Sequence, residues 1–462
     1  MNKPATTHNR TADWQAIDAR HHLQPFTNYT ELHAQGVRVM TRAEGVYIWD
    51  SEGNRLLDGM AGLWCVNVGY GRRELEQAAA EQIKTLPYYN TFFQTTHPPA
   101  VELSEILAEV TPKGLNHVFF VNSGSEANDT VLRAVRRYWE VKQRPGKSII
   151  ISRHNAYHGS TMAAASLGGM KAMHEQGGLP IPGVEHIRQP YWYGEGESMT
   201  REAFGLVAAA ALEERIEQLG ADNVAAFIGE PIQGAGGVIV PPASYWPEIE
   251  RICRAHDVLL VSDEVICGFG RTGRWFGCET LGFTPDVMAM AKGLSSGYLP
   301  IGGVMLSDEV AGTLIESDSE FQHGFTYSGH PVCCAVALAN VRLMRDEGLV
   351  TRVGDDIGPY FQERLRELEA LPIVGEVRGH GLIAGIQLAK DKATRTRFDN
   401  RSEVSGKVKA YAMENGLMMR ATDDSMVLSP PLTISREEVD ELVGAAADAL
   451  ARVGVDLGVV CR

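Results

Sequence analysis

Apolar runs alternate with amphipathic segments through the middle of this chain, and the alternation limits the folds open to it. Residues 245–256, for example, place Trp246, Ile249 and Ile252 at helical spacing between two apolar runs. Strands that are buried on both faces appear as continuous apolar runs, and alternation with helices places them in a parallel sheet. We predict an α/β fold with a mainly parallel sheet. Its candidate strands are residues 117–122, 148–152, 224–230, 258–263, 287–291 and 301–306.

The domain organisation follows from the length and from a change of pattern near residue 330. A chain of 462 residues exceeds one ordinary hydrophobic core. Beyond residue 330 a helical stretch at 333–347 is followed by short strands with glycine turns at 371–389 and by a helix at 436–452. We predict a large domain over residues 71–330. A smaller α+β domain is expected from residues 331–462, completed by the N-terminal segment 1–70.

Composition excludes several classes of function. A formal net charge of −15 disfavours nucleic acid and anionic membranes as partners, because both would repel the chain. The seven cysteines are odd in number and show no Cys-x-x-Cys spacing, which argues against a disulfide framework or a zinc site. The N-terminus lacks the apolar core of a signal peptide, and no run approaches about 18 apolar residues. We expect a cytoplasmic protein with no metal site.

Two of the predicted strands end in residues with complementary chemistry. Lys292 follows the apolar run 287–291 and precedes a glycine-containing loop, so desolvation of its amine would lower the pKa and favour attack on a carbonyl. Asp263 ends the run 258–263. A solvent-reaching lysine is the commoner outcome for such a position taken alone. A lysine that forms a Schiff base and an acid that faces a pyridinium nitrogen are together the minimum equipment for pyridoxal phosphate (PLP) chemistry.

The segment that follows the first predicted strand can hold an anion. Ser123, Gly124 and Ser125 form a turn before a helix, whose free N–H groups and positive dipole end would point at a phosphate. An ordinary Ser N-cap with Glu126 in the first turn is an equally good interpretation of this segment in isolation. With Lys292 and Asp263 at neighbouring strand ends, the phosphate interpretation is favoured.

Two further segments are weaker signals. Tyr157 follows a strand and could stack on a cofactor ring, whereas we expect His158 to be a hydrogen-bonded loop histidine. The run Gly268-Phe269-Gly270-Arg271-Thr272-Gly273 matches the dinucleotide pattern Gly-x-Gly-x-x-Gly. No amphipathic helix follows it, so the context that the fingerprint requires is absent. We expect a mobile loop there and not a nicotinamide site.

Several motifs together resemble the class III aminotransferases, and in particular their amine:pyruvate or ω-transaminase branch. The resemblance extends over residues 26–432. Its motifs are Asn122-Ser123-Gly124-Ser125-Glu126-Ala127, Tyr157-His158-Gly159, Glu230-Pro231-Ile232-Gln233-Gly234, Asp263-Glu264-Val265, Ala291-Lys292-Gly293-Leu294 and Phe325-Thr326-Tyr327-Ser328-Gly329-His330-Pro331. It implies a fold-type I PLP-dependent transferase, with a mainly parallel seven-stranded sheet in the large domain and a smaller α+β domain.

The resemblance also implies roles for individual residues around PLP. Lys292 would bind the cofactor covalently and then shuttle the substrate proton, and Asp263 would keep the ring nitrogen protonated. The ring would pack between Val265 and Tyr157, with Glu230 near its hydroxyl group. Ser123, Gly124 and Ser125 would hold the phosphate. Thr326 would join them from the neighbouring subunit, so the active unit would be a homodimer or a tetramer built from dimers.

For the substrate the resemblance implies an aromatic pocket and one arginine. Phe26, Trp64, Phe92 and Tyr157 would line the pocket, although core packing is the commoner role of an aromatic residue. Arg420 would pair with the carboxylate of a keto acid and move away for amines. Relatives that act on ω-amino dicarboxylic substrates often carry a glutamate where this chain has Ala235.

These observations predict transfer of an amino group from a primary amine to pyruvate. The amine could be a diamine, an ω-amino acid or an arylalkyl amine. Alternatives on the same scaffold are a dialkylglycine-type decarboxylase, an aminomutase and a 2-oxoglutarate-dependent ω-amino acid aminotransferase. From a different class, the chain could be a catalytically idle ligand-binding protein, but Lys292 and Asp263 are both present.

Overall fold

A seven-stranded sheet forms the centre of the protein. The computed structural model describes residues 10–196 and 198–459. Within them the sheet has the order β4-β10-β9-β8-β7-β5-β6, in which β10 is antiparallel to both neighbours and the other pairs are parallel. The strands are β4 Leu115–Val121, β5 Ile149–Arg153, β6 Val184–Ile187, β7 Val224–Gly229, β8 Leu259–Asp263, β9 Val287–Met290 and β10 Gly302–Ser307. Every residue of β7, β8 and β9 is buried, as continuous apolar runs require.

Helices cover both faces of this sheet. Several of these helices are amphipathic. In the helix Tyr245–Ala255, for example, Trp246, Ile249 and Ile252 are buried. The helices of the first 330 residues are α1 Thr11–His21, α2 Tyr29–Gln35, α3 Ala61–Trp64, α4 Arg73–Thr85, α5 Pro98–Val110, α6 Gly124–Val141, α7 Met162–Leu167, α8 Lys171–His174, α9 Trp192–Glu195, α10 Arg201–Leu219, α11 Tyr245–Ala255, α12 Gly277–Leu281 and α13 Asp308–Ile315.

Two four-stranded sheets complete the structure. One has the order β1-β2-β3-β13, and the other has the order β11-β12-β15-β14. Their strands are β1 Met40–Glu44, β2 Tyr47–Asp50, β3 Arg55–Asp58, β11 Val374–His380, β12 Ile383–Leu388, β13 Leu417–Met418, β14 Arg420–Thr422 and β15 Ser425–Leu428. The accompanying helices are α14 Pro331–Asp346, α15 Leu349–Arg352, α16 Gly358–Arg366, α17 Arg401–Glu414 and α18 Arg436–Asp456.

The first small sheet pairs a strand of the N-terminal segment with a strand of the C-terminal segment. Strand β3 pairs in parallel with β13, with Leu57 opposite Leu417 and Asp58 opposite Met418. This pairing supports the division into a large domain at 71–330 and a small domain made from 1–70 and 331–462, which we retain as a proposal.

The α/β class and the seven-stranded, mainly parallel sheet are confirmed. The six strands predicted from apolar runs are present to within two residues at each end. Strand β6 was not predicted, because Val-Glu-His-Ile is short and half polar. Helix α18 continues four residues beyond the predicted end. No helix in residues 10–196 or 198–459 is long and apolar enough to span a membrane.

Candidate active site

The carboxyl ends of five strands that run in the same direction meet around one small cavity. Its volume is about 140 Å³. Lining it are Gly124, Ser125, Tyr157, His158, Gly159, Glu230, Asp263, Val265, Ile266 and Lys292. Four larger clefts, of about 950, 660, 450 and 420 Å³, lie elsewhere in the described residues and contain neither Lys292 nor Asp263. The chemistry of its lining makes the smaller cavity the candidate active site, at the edge where open α/β sheets bind ligands.

Lys292 is the amine of this cavity. It stands two residues beyond β9, at the start of a 3-10 turn, with φ +42°, a conformation that costs free energy for any residue other than glycine. Desolvation lowers the pKa of Lys292 from its ordinary value of 10.5, and the nearby Asp263 opposes this effect. The amine is thus held where its neutral, nucleophilic form is favoured.

Asp263 is buried and held by three hydrogen bonds. Its Oδ2 accepts hydrogen bonds from His158 Nδ1 at 2.6 Å and from Asn128 Nδ2 at 2.8 Å, and its Oδ1 accepts one from the Val265 amide at 3.1 Å. A carboxylate oxygen only accepts, so the His158 proton is assigned to Nδ1, which leaves Nε2 to accept from the Ser152 hydroxyl at 3.2 Å. Asp263 therefore has a defined orientation toward the cavity.

The sequence analysis did not identify two of these hydrogen-bond partners of Asp263. His158 is a hydrogen-bonded loop histidine, as expected, but its partner is Asp263. Asn128 was missed; it is fully buried on the second turn of α6, and its amide also donates to the His158 carbonyl at 2.7 Å. A fully buried asparagine in an amphipathic helix requires a specific partner. The sequence pattern alone did not identify which one.

The turn before α6 combines the two interpretations that the sequence allowed. Ser123 is the N-cap, and its hydroxyl accepts from the Glu126 amide at 3.2 Å. Gly124 and Ser125 face the cavity, whereas Ser123 is not part of the lining. The Ser125 hydroxyl accepts from the Ser160 amide at 3.0 Å. The structure thus places a helix N-terminus at the cavity, which is the geometry of an anion site.

Glycine is required at two positions of this wall. A Cβ on Gly124 would lie 3.0 Å from Val265 Cγ1, and one on Gly159 would lie 2.5 Å from Ser125 Oγ. Gly159 also has φ +137°, which side chains rarely adopt. A side chain at either position would therefore press on a residue that lines the cavity, Val265 or Ser125.

The Glu230 side chain is hydrogen-bonded to the backbone of Tyr157. The Glu230 carboxylate accepts from the Tyr157 amide at 3.1 Å and from the Gly234 amide at 2.9 Å. Burial raises the pKa of Glu230, with a further contribution from Asp263. The carboxyl group thus fixes the backbone that carries the Tyr157 ring. Tyr157 and Val265 both line the cavity.

Of the expected substrate residues, Trp64, Arg420 and Phe26 lie near this centre. Trp64 is 2% exposed, and the Arg420 guanidinium carbon is 4.9 Å from the centroid of its ring. Burial lowers the pKa of Arg420. In the described part of the chain no carboxylate oxygen lies within 4.0 Å of the Arg420 guanidinium group.

Phe26 is largely exposed and meets the Tyr157 ring edge-on, with centroids 6.3 Å apart. Ala235 is buried in an apolar cluster with Trp64.

Neither Phe92 nor Thr326 belongs to the lining of the Lys292 cavity. The Thr326 carbonyl accepts from the Tyr88 hydroxyl at 2.7 Å, and the Phe92 ring is next to Gly324. Thr326 itself is exposed. Within one subunit the structure does not bring these two residues to the cavity.

The glycine-rich run at 268–273 is not a mobile loop, and that expectation is wrong. Phe269 and Arg271 are both fully buried. The Arg271 guanidinium donates to the carbonyls of Leu382 and Pro430 and to Asn67 Oδ1. A buried cation bonded to three separate segments holds the loop in place. No helix begins within the run or directly after it; the next helix, α12, begins four residues later at Gly277 and is only five residues long, so the run does not offer a dinucleotide site.

Comparison with known proteins identifies what this site is similar to. The family model described as aminotransferase class-III matches residues 29–450. Putrescine–pyruvate aminotransferase of Pseudomonas aeruginosa is 57% identical over 444 residues, which cover 96% of this chain and 97% of that protein. Diaminobutyrate–2-oxoglutarate transaminase of Halomonas elongata is 42% identical over 97% of both chains.

Solved structures give the same result for the fold. An (S)-enantioselective ω-transaminase from Thermomicrobium roseum superposes with a TM-score of 0.92 at 47% identity, covering 96% of this chain and 98% of the other. The ω-transaminase of Pseudomonas jessenii in complex with PMP superposes with a TM-score of 0.94 at 39% identity, covering 96% and 99%.

Proposed function

The chain belongs to the class III aminotransferases, and from that premise we propose that it transfers the amino group of a primary amine to pyruvate. The amine leaves as an aldehyde or ketone, and pyruvate leaves as alanine. The single observation that carries the proposal is the placement of the Lys292 amine, with its lowered pKa, in one cavity with the anchored Asp263 carboxylate. The relative that is 57% identical acts on putrescine and pyruvate, which supports the same pair of half-reactions.

The cofactor of this family is PLP, and the cavity fits it. When bound, PLP supplies an electron sink for the carbanion formed at the substrate carbon. Lys292 would hold its carbonyl carbon, and Asp263 would hold its ring nitrogen. Gly124 and Gly159 lie so close to Val265 and Ser125 that a Cβ at either position would displace a residue of the cavity wall, so these glycines allow the wall that would surround the phosphate and ring. The remaining contacts that we propose are Ser123, Ser125, Tyr157, Glu230, Val265 and Thr326.

Lys292 and Asp263 have different chemical roles in the proposed reaction. Because desolvation favours the neutral form of the Lys292 amine, its free lone pair can accept a proton from the substrate carbon and later return it. The protein partners of Asp263 only donate hydrogen bonds to it. Its carboxylate can therefore also accept a hydrogen bond from an N–H group of a molecule in the cavity. Tyr157 and Val265 would exclude water from the two faces of the site, which strengthens both interactions.

Arg420 supports pyruvate as the acceptor. Its guanidinium group has no ion pair within the described residues, so it can pair with the carboxylate of a keto acid in a bidentate geometry. A glutamate at position 235 would compete for this arginine, but Ala235 cannot. A 2-oxoglutarate acceptor is the second candidate, favoured by the relative that is 42% identical.

We also propose that the active unit is a dimer. Thr326 and Phe92 lie outside the cavity of their own subunit, and Phe92 is next to Gly324, two residues before Thr326. Around them the aromatic side chains of Tyr89, Phe93 and Tyr327 are exposed, and such a patch favours contact with a second copy of the chain. Thr326 would then reach the phosphate in the partner subunit's site.

The function is tested by following each half-reaction in the purified holoenzyme. An amine should bleach the yellow colour, and pyruvate should restore it with one alanine formed per amine consumed. Lys292→Ala should abolish turnover, because no other amine lines the cavity. Release of carbon dioxide, or recovery of colour with 2-oxoglutarate but not with pyruvate, would contradict the proposal. Wild-type turnover in the Lys292→Ala variant would contradict it as well.

A further inference from the structure

The turn that carries Lys292 has a strained backbone. Lys292 itself has φ +42°, and Ser296, four residues later, has φ +50°. Both are left-handed values, which cost free energy in residues that have a side chain. The direction of the Lys292 side chain follows from its backbone, so relaxation of the turn would move the amine. Contacts from outside the turn therefore have to hold it in place.

One buried amide group makes such contacts. Asn340, on α14, is fully buried, and its Nδ2 donates to the carbonyls of Gly293 at 2.9 Å and Leu294 at 3.0 Å. Its Oδ1 accepts from the Ser296 hydroxyl at 2.7 Å. The opposite orientation of the amide would place its oxygen against two carbonyl oxygens, so these partners fix the assignment of nitrogen and oxygen. Both ends of the amide are thus bonded to the turn.

A second asparagine packs against the same turn. Asn67 Nδ2 donates to the Phe269 carbonyl at 2.8 Å, and its Oδ1 accepts from the Arg271 guanidinium group at 2.8 Å. This amide is so close to Gly293 that a Cβ on the glycine would lie 2.5 Å from Asn67 Nδ2. The turn is therefore packed against an amide whose position is fixed by the buried glycine-rich run.

Both asparagines come from outside the proposed large domain. Asn67 belongs to the segment 1–70, and Asn340 lies 47 positions after Gly293, in the segment 331–462. Lys292, in contrast, follows a strand of the central sheet. The position of the amine therefore depends on contacts with the proposed small domain as well as on its own strand.

We propose that Asn340 is a positioning residue for the Lys292 amine, supported by Asn67 and Ser296. Asn340 does not line the cavity, so it acts through Lys292. Its amide holds the turn in the strained conformation before the cofactor binds, and binding then does not have to meet that conformational cost. The inference rests on the proposed function, because it takes Lys292 as the reacting amine.

Cofactor binding gives the first test. PLP can form a bond with the Lys292 amine through its aldehyde, whereas pyridoxamine phosphate (PMP) has an amine in place of the aldehyde and cannot. In cofactor-free Asn340→Leu the turn can relax, and PLP binding then has to restore the strained conformation. The affinity for PLP should fall about tenfold, while the affinity for PMP should change by less than about twofold. An equal fall for both, or no fall for PLP, would overturn the proposal.

Gln362 provides the matched control. Its buried amide donates to the carbonyls of Gly381 at 2.9 Å and Ile383 at 3.1 Å, and none of the three residues lines the Lys292 cavity. Gln362→Leu removes two buried hydrogen bonds of the same kind, so it reproduces a general loss of stability. Its affinities for PLP and PMP should both stay within about twofold of wild type. A selective loss of PLP affinity in this variant too would overturn the proposal.

The first half-reaction gives a second readout, in the holoenzyme at saturating PLP. Single-turnover bleaching by butane-1,4-diamine should have a maximum rate about tenfold lower in Asn340→Leu, at an unchanged half-saturating concentration of the amine. A displaced Lys292 amine slows proton transfer but does not change how the substrate is held. A higher half-saturating concentration with an unchanged maximum rate would overturn the proposal.

A milder variant covers the case in which Asn340→Leu does not fold. Ser296→Ala removes the hydroxyl group that is bonded to Asn340 Oδ1 and leaves the two bonds from Nδ2 in place. It should lower the maximum bleaching rate in the same way but by a smaller factor. An unchanged maximum rate in Ser296→Ala would then overturn the proposal.

The outcomes separate this inference from the function on which it rests. If the amine does not bleach the wild-type holoenzyme, or if pyruvate then yields no alanine, the proposed transamination itself is wrong. If wild type forms alanine but Asn340→Leu and Gln362→Leu behave alike, the transamination stands and the positioning role of Asn340 is wrong.

Discussion

His158 Nδ1 lies 2.6 Å from Asp263 Oδ2, and both side chains are buried. The hydrogen bond joins the loop after β5 to the end of β8, so the orientation of the proposed ring-binding carboxylate depends on a residue 105 positions earlier in the chain. Ser152 fixes the other side of the imidazole. His158 therefore acts as a positioning residue for Asp263.

Replacing His158 should reduce catalysis with little effect on substrate binding. A hydrogen bond to a charged group contributes about 1.5–3 kcal/mol, so His158→Ala should lower kcat by about 10- to 100-fold. KM for the amine should change little. Ser152→Ala removes only the longer 3.2 Å contact and should have a much smaller effect. A rise in KM with unchanged kcat would contradict the positioning role.

The amine of Lys292 should react at a lower pH than surface lysines do. Because burial lowers its pKa, its neutral fraction is larger near neutral pH. In the cofactor-free protein, reductive methylation followed by mass spectrometry should label Lys292 before the exposed Lys171, whose side chain is 88% exposed. The labelling rate should rise with pH and level off below 10.5. A rate that rises only near pH 10.5 would contradict the lowered pKa.

A methyl group at position 159 should close the phosphate side of the cavity. In Gly159→Ala the new Cβ would meet Ser125 Oγ at 2.5 Å and Ser125 Cα at 2.7 Å, so α6 has to shift. We expect the affinity for PLP to fall at least about tenfold, measured by cofactor titration and absorbance. Gly146→Ala is the matched control, because its Cβ would meet nothing closer than 3.9 Å. Equal affinities in the two variants would contradict the prediction.

The proposed dimer predicts complementation between two inactive variants. Thr326→Glu would place a carboxylate against the phosphate of the partner's site, and Lys292→Ala removes the amine of its own site. In a mixed dimer, one site combines the intact Lys292 of one chain with the intact Thr326 of the other. Co-refolded mixtures should therefore regain activity that neither parent has. If Thr326 acts within its own subunit, the mixture stays inactive.

Glu264 should make stability depend on pH near neutrality. Burial raises its pKa to about 7 from the ordinary 4.5 of a glutamate, so the folded state binds the proton more tightly than the unfolded state does. Its contribution to the free energy of unfolding is greatest below pH 4.5. That contribution falls as pH rises through 7, by about 3 kcal/mol in total.

Denaturant unfolding at several pH values measures this effect. As pH rises from 5 to 8, the free energy of unfolding of the wild type should fall more than that of Glu264→Gln. A constant offset against the variant is expected as well, because the amide group replaces one acceptor of the Gly277 and Cys278 N–H groups. Glu102→Gln, on the surface, should show no such change with pH. A difference independent of pH would contradict the raised pKa.

The sequence by itself determined the main sheet and the chemistry at its edge. Strands β7, β8 and β9 were predictable because burial on both faces requires continuous apolar residues, and this signal is local. Asp263 and Lys292 were recognisable because each follows such a run directly. The serine-glycine turn before α6 was predictable for the same reason.

Only the tertiary structure decided which polar and aromatic groups meet. The bonds from His158 and Asn128 to Asp263, the anchoring of Arg271 in the loop at 268–273, and the pairing of Arg420 with the Trp64 ring all join segments far apart in the chain. Local periodicity encodes whether a residue is buried, but not its partner. The partner depends on strand order and on the path of the loops, and these are decided when the whole core packs.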